Sequence, residues 1–303
     1  MGRGLAALAA VGAGALAYAH VETKLFTTRF VTIPVLPPGT RDLRVLHVSD
    51  LHLVPSQRRK IAWVRSLAEL EPDLVVDTGD NLAHRDSLGP VLHALRPLLD
   101  HVPGMFVLGS NDYYAPVPKN PARYLLPDAR VPFARSAPTL PADRLAEALR
   151  SAGWVDLTNR RDTLRVDGVH LDLVGVDDPH LDLDVYPDPV PRPAGAHLRV
   201  GVAHAPYRRV LDTMHADGAD LVIAGHTHGG QLRVPGFGAL VTNCDLDRRR
   251  ASGLHGWPGA RPDRPGGDGS TWLHVSAGAG TSPYAPFRFA CRPEATLVTL
   301  TAR

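Results

Sequence analysis

Side chains able to hold a cation or move a proton stand at the ends of apolar runs in five places: Asp50 and His52 in "VSDLH", Asp80 in "TGDN", Asn111 and Asp112 in "LGSND", His204 in "VAHAP", and His226 and His228 in "AGHTHGG". In an extended segment, residues two apart project to the same side. Asp50 can therefore share one ion with His52, and His226 with His228. Carboxylate and amide oxygens with imidazole nitrogen, and no sulfur, suit Mn, Fe or Zn. An aspartate such as Asp80 can bridge two ions about 3.5–4 Å apart, the separation that two-metal hydrolases use. Gly225, Gly229 and Gly230 leave space for the backbone to turn tightly beside an ion. Taken singly, each feature is ordinary: Asp50 as a helix cap, "GDN" as a turn, His204 as a structural histidine. Their recurrence after successive apolar runs is what points to a metal centre.

Those runs must be strands whose ends meet. "LRVLHVSD", "DLVVDTGD" and "GMFVLGS" read as buried strands, separated by a helix in "SQRRKIAWVRSLAEL" and another over Leu88 to Leu95, disturbed by Pro97. The second half is richer in strands ("HLDLVGVDD", "HLRVGVAHAP", "ADLVIAGHTH", "GQLRVPG", "TWLHVSAG", "ATLVTLT"), with one helix near Tyr207 to His215. The alternation predicts a layered α/β fold, in which ligands bind beyond the carboxyl ends of strands. Tyr113 to Pro141 and His255 to Thr271 are crowded with proline and glycine and are expected to be loops. Tyr113, Tyr114, Lys119 and Arg123 in the first loop are candidates to cover the site and bind phosphate or a lipid head group. Asp177 to His180 reads as a structural turn, and His47, His93, His101 and His274 as structural histidines.

A chain of 303 residues with 44% apolar content can bury a sizeable core. Net charge is +2, and the basic residues are scattered apart from Arg248, Arg249 and Arg250, so no nucleic-acid partner is expected. Cys244 and Cys291 lack the spacing of a thiolate zinc site. Residues 1–21 combine Arg3, an uninterrupted Leu5 to Leu16 run and a small-x-small Ala17-Tyr18-Ala19. That segment fits a membrane anchor, a cleaved export signal or an ordinary helix. The expected organisation is this segment, a proline-rich connector at 22–42, and one domain at 43–303. Localisation is then at a membrane through the N-terminal segment, or exported after cleavage.

The blocks "SDLH", "TGDN", "GSND", "VAHAP" and "AGHTHGGQ" resemble those of the calcineurin-like metallophosphoesterases over roughly Leu43 to Val234, and "SAGAGTSPYAPFRF" also looks familial. The chain is most similar to a membrane-associated branch related to bacterial phosphodiesterases and UDP-2,3-diacylglucosamine pyrophosphatases. The resemblance implies a four-layer αββα sandwich. It implies two divalent ions, one held by Asp50, His52, Asp80 and His228, the other by Asp80, Asn111, His204 and His226. It further implies hydrolysis of a phosphodiester or pyrophosphate bond by a hydroxide shared between the ions, on a phosphate ester or a nucleotide- or lipid-linked pyrophosphate. The family usually writes GNHD or GNHE where this chain has "GSND", with Asn binding metal and His assisting the leaving group. Asn111 is the expected ligand, because an amide oxygen is a more usual donor than a neutral hydroxyl, with Ser110 as the alternative. Asn111 and Asp112 join Asp80 as candidate catalytic residues, and His84, Asp112 or water is left to act as general acid. A noncatalytic metal-binding scaffold or sensor is the alternative function.

Overall fold

Short runs of Val, Leu and Ile build two six-stranded sheets. In the computed structural model, which describes residues 2–118 and 137–303, the first sheet runs in the order β1 (Thr27–Leu36), β14 (Glu294–Ala302), β2 (Leu43–Val48), β3 (Leu74–Asp77), β4 (Gly104–Phe106) and β5 (Val155–Asp156). The second runs β12 (Gly253–Trp257), β13 (Thr271–Val275), β9 (Leu221–Ala224), β8 (Leu198–Ala203), β7 (Val169–Gly175) and β6 (Arg160–Val166), and β10 (Arg233–Val234) pairs with β11 (Gly238–Ala239) in a separate small ribbon. β2 to β5 are mutually parallel, as are β13, β9, β8 and β7.

Period-two alternation divides the core. Val45, Leu74, Val76 and Met105 of the first sheet meet Leu171, Val200, Leu221 and Ile223 of the second in the interior between the sheets. The opposite face of the first sheet is covered by α2 (Arg58–Ser66), α3 (Leu88–Leu99) and α5 (Ala142–Ser151) through Val64, Val91, Leu95, Leu145 and Leu149. The second sheet is covered by α6 (Arg208–Ala216) through Val210, Leu211 and Met214. The result is the four-layer αββα sandwich. Both parallel arrays send their carboxyl ends to one edge, where the polar blocks collect.

Several elements depart from expectation. Residues 27–36, inside the stretch expected as a connector, form β1, which pairs in parallel with β14 along its length. The segment expected as a loop from His255 contains the end of β12. α3 runs through Pro97 to Leu99. α5 and β6 were not foreseen; β6 is a charged edge strand, "RRDTLRV", whose exposed residues mask its alternation. Lys119 and Arg123 lie outside the described residues.

The N-terminal segment is a helix, α1 (Gly2–Glu22). No helix among the described residues is long and apolar enough to cross a membrane. The end of α1 is fastened to the tail of the chain: the buried Glu22 carboxylate accepts the N–H groups of Ala290 (2.9 Å) and Cys291 (2.7 Å), and Arg288 N–H donates to Ala19 O (2.9 Å). Cys244 and Cys291 are both free thiols.

Leu221 is wholly buried between the sheets. Leu221→Ala should cost about 2–5 kcal/mol through lost burial and a residual cavity, measured as a lowered midpoint in urea with little change in slope.

Candidate metal centre

Each candidate sits just beyond a strand: Asp50 and His52 after β2, Asp80 after β3, Ser110 to Asp112 after β4, His204 after β8, and His226 and His228 after β9. The segments are not extended there. Asp50 (φ 50°), His52 (φ 39°), Asp80 (φ 57°), His226 (φ 66°) and His228 (φ 49°) all occupy the left-handed region. Asp50 and His52 still fall in one donor group, but His226 and His228, expected to share an ion, are turned into different groups. A non-glycine residue in this region costs on the order of 1 kcal/mol, and such strain concentrates at functional sites. Here it is held by hydrogen bonds between neighbouring strand ends, including Asp50 N to Gly79 O and His52 N to Asp80 O, both 2.9 Å.

Two groups of donor atoms result. In the first, His52 Nε2 lies 3.1 Å from His228 Nε2 and 4.0 Å from Asp50 Oδ1, which is 3.7 Å from His228 Nε2. In the second, His204 Nε2 lies 3.5 Å from Asp80 Oδ1 and 3.2 Å from His226 Nδ1. Asp80 stands between them, its Oδ2 3.2 Å from His52 Nε2. Asp50 also approaches the second group, with its donor within 4.8 Å of those of Asp80 and His204. Donors about 2.1 Å from a common ion sit roughly 3–3.5 Å apart, so these spacings fit first-row cations.

Two further observations fit a cation. Asp50 Oδ1 is buried with no hydrogen-bond partner, aimed at His52 and His228. Backbone carbonyls occupy the far nitrogens of three histidines: His228 Nδ1 at Gly280 O (3.0 Å), His204 Nδ1 at Thr78 O (2.7 Å) and His226 Nε2 at Asn243 O (3.2 Å). Each donates outward, so that in the neutral ring the inward nitrogen is the lone-pair ligand, the arrangement typical of metal-binding histidine.

The "GSND" block forms a short helix, α4 (Ser110–Tyr113). Asn111 N–H donates to Asp80 Oδ1 (2.7 Å), and its side-chain amide lies 2.9 Å from Asp80 Oδ2 and 3.3 Å from Ser110 Oγ. Ser110 and Asn111 thus both flank Asp80. Gly109 is needed for this approach: a Cβ there would lie 2.4 Å from Asp80 Oδ1 and 2.7 Å from His204 Cε1. Asp112 has a different place from the expected one. Its carboxylate accepts four backbone N–H groups, from Asp80 (2.9 Å), Asn81 (2.8 Å), Leu82 (3.2 Å) and Gly109 (3.0 Å). Burial and the Asp80 charge push it up to about 8, yet both oxygens are turned into the backbone. Its four bonds fasten the Asp80 loop to the start of α4. His84 is exposed and turned to Asp86.

The electrostatics are those of a cluster short of positive charge. Burial pulls His204 down, but the Asp80, Asp178 and Asp50 carboxylates raise it to about 9. Asp80 is held well below the usual carboxylate range, because His204 and His52 outweigh its burial. Burial and neighbouring positive groups keep His226 and His228 well below the ordinary value, hence neutral. Two buried cations stand nearby. Lys60 Nζ donates to Leu51 O (2.7 Å) and is lowered to about 7 by burial and by Arg288. Arg288 donates to Ala277 O and Gly280 O, both 2.7 Å.

Residues 43–230 match the family model described as calcineurin-like phosphoesterase. The chain belongs to the calcineurin-like phosphoesterase family. It is similar to an "Uncharacterized metallophosphoesterase" of Aquifex aeolicus (28% identical, covering 94% of this chain and 95% of the relative) and to "Phosphodiesterase YaeI" of Escherichia coli (28%, covering 85% and 82%). A "Transmembrane protein with metallophosphoesterase domain" of Bos taurus is 24% identical over 72% of this chain and 47% of its own length. Among solved structures, the 5'-nucleotidase precursor of Thermus thermophilus aligns over 86% of this chain and 55% of that one, with 15% identity and a TM-score of 0.42. The family is one of phosphoric ester hydrolases that work with divalent ions, and the two donor groups are this phosphoesterase's candidate ligands.

Further residues lie at the phosphoesterase site, some with no mark in the sequence and some that read there as a structural turn. Ser49 and Thr78 sit directly behind Asp50 and Asp80. Asp178 follows β7 with a buried Oδ2 that has no partner and an electrostatic influence on His204. The His180 ring lies 4.5 Å from that of His226, tilted by 46°, and Tyr113, expected as a residue to cover the site, donates from Oη to Asp177 Oδ1 (2.8 Å), joining α4 to the same turn. The signal for this turn was its position after a strand neighbouring β8, which only the sheet order reveals. Arg288 lies in the familial "SAGAGTSPYAPFRF" stretch, where nothing local marks it as buried.

Asp77, below the site, accepts Gly79 N–H through Oδ1 (2.9 Å) while its buried Oδ2 has no partner. Burial raises it to about 6. A raised carboxyl contributes stability that is full below its unfolded value near 3.8 and is lost as pH rises through about 6. Asp77→Asn keeps the acceptor and removes the charge. Between pH 4 and pH 7 the metal-free wild type should therefore lose on the order of 3 kcal/mol relative to Asp77→Asn, read from denaturant midpoints at both pH values.

Proposed function

We propose that this phosphoesterase hydrolyses a phosphodiester or pyrophosphate bond with two divalent ions, Mn, Fe or Zn. Asp50, His52, Asp80 and His228 hold one, and Asp80, Asn111, His204 and His226 the other. The observation that carries the reading is the central Asp80, whose two oxygens lie 3.2 Å from His52 Nε2 and 3.5 Å from His204 Nε2. When bound, such ions act as Lewis acids on phosphoryl oxygen and make water a nucleophile near neutral pH. The protein's part is to fix the donors in a water-poor site, where fixed charges act strongly on the charge developing in the transition state. The relative named a phosphodiesterase supports the diester choice.

The "GSND" block after β4 has no histidine to assist the leaving group, so leaving groups that need no proton are favoured. The second half of the substrate is a nucleotide or a lipid-linked group. Support for a lipid surface comes from exposed Leu16, Tyr18 and Val21 on α1 beside exposed Phe287, with Tyr18 packed edge-on to Phe289 at 5.7 Å. The proposed contact is with the bilayer surface.

Metal-stripped protein given Mn²⁺ should hydrolyse bis-p-nitrophenyl phosphate, and Asp80→Ala should lower kcat/KM by at least about 10²-fold. Across aryl phosphodiesters, rates should rise steeply as the leaving group becomes more acidic; a flat series would refute the missing-acid reading. Binding of Mn²⁺ without hydrolysis of any ester would assign the scaffold role instead.

A further inference from the structure

Beneath the site, between the sheets, two histidines meet that the chemistry above does not use. His47 on β2 and His274 on β13 are 0% and 1% exposed, with Nδ1 atoms 3.1 Å apart. Alternation puts them there: His47 shares the inner face with Val45, and His274 with Trp272. From His47 the contacts continue without a break. His47 Nε2 is 2.9 Å from Thr78 Oγ1, Thr78 Oγ1 is 2.7 Å from Ser49 Oγ, and Ser49 Oγ is 2.5 Å from Asp50 Oδ2.

The chemistry of the groups sets the direction of this chain. An ionised carboxylate only accepts, so Ser49 gives its single proton to Asp50. Ser49 must then accept from Thr78, and Thr78 from His47 Nε2–H. A nitrogen–nitrogen contact needs one unprotonated partner, so His47 Nδ1 accepts from His274 Nδ1–H. Burial keeps both rings below their ordinary value, His274 at about 4, in keeping with neutral imidazoles. Every proton in the series points toward Asp50, and donors aligned in this way strengthen one another.

A second donor completes the grip. His226 N–H lies 3.0 Å from the same Oδ2. Gly225 lets the β9 end approach, since a Cβ there would lie 1.9 Å from Ser49 Oγ and 2.7 Å from Asp50 Oδ2. Oδ2 is thus engaged by two donors, while Oδ1 has none.

We propose that His274, His47, Thr78 and Ser49 form a one-directional hydrogen-bond chain that fixes Asp50 as a monodentate ligand, with Oδ1 aimed at the His52 and His228 side, and so sets metal affinity there. These are positioning residues, and the inference rests on the metal site proposed above.

The test is calorimetric titration of the metal-stripped full chain with Mn²⁺, beside melting curves in chelator. Thr78→Val keeps the shape of the side chain and removes its hydroxyl; Thr78→Ser restores it. Wild type should bind, Thr78→Val should bind about 10–100-fold more weakly in one of its steps, and Thr78→Ser should lie within about 3-fold of wild type. His47→Gln, which presents an amide N–H toward Thr78, should retain more affinity than His47→Leu. Thr78→Val leaves His47 Nε2–H without its buried acceptor and should melt lower in chelator than wild type; titration well below that melting temperature, on folded protein, separates positioning from general stability. Wild-type affinity in Thr78→Val, or equal weakening in Thr78→Ser, would overturn the chain while leaving the metal site standing. Absence of Mn²⁺ binding by the wild type would overturn both.

Discussion

Buried negative charge at the meeting of two sheets is the constraint from which the rest of this structure follows. Asp50 and Asp80 are 0% and 2% exposed, and Asp77 and Asp178 lie close behind them, all excluded from water that would otherwise screen them. Such a cluster is strongly unfavourable unless positive charge or hydrogen-bond donors compensate it. In the protein alone, His204 takes a proton to do so, and Arg288 lies nearby as a fixed cation, while buried Lys60 is lowered to about 7. A bound divalent cation would replace that proton with a stronger partner. Ligand affinity and the electrostatic cost of folding are therefore aspects of one arrangement.

The surrounding backbone is organised to hold these charges in place. Asp80 is reached by His52 from the first sheet and His204 from the second, and its loop is fastened by four N–H groups on the Asp112 carboxylate. Left-handed residues beyond β2, β3 and β9 turn side chains inward that a straight strand would send elsewhere. Strain of this kind persists only where neighbouring hydrogen bonds over-determine the conformation. The parallel strand ends supply them, because backbone pairing continues past β2 and β3 through Asp50, His52 and Leu53.

Much of the architecture was legible because it is written in local periodicity. The strands before Asp50, Asp80, His204 and His226 are mainly apolar, broken only by Arg44 and His47 in β2, Asp77 at the end of β3 and Arg199 in β8, and a parallel strand buried on both faces must look largely like that. β6 and β1 were harder to read, since an edge strand keeps charge or proline on its exposed side. The turn Asp177 to His180 looked unremarkable because its neighbours in space, β8 and α4, are remote in sequence. The direction of the Asp112 oxygens, into the backbone of the Asp80 loop, was hidden for a related reason: residues 80–82 are about thirty positions away.

By itself the sequence determined the donor types, their order along the chain and their attachment to strand ends, because these depend on residue identity and on short-range pattern. Tertiary structure alone decided that β2 and β3 face β8 and β9, which brings Asp50 beside His228, 178 residues away. It also decided which oxygen of each carboxylate faces the cluster and which is held from behind. Those outcomes follow from long-range sheet packing and from hydrogen-bond direction, and neither is encoded in any single stretch of residues.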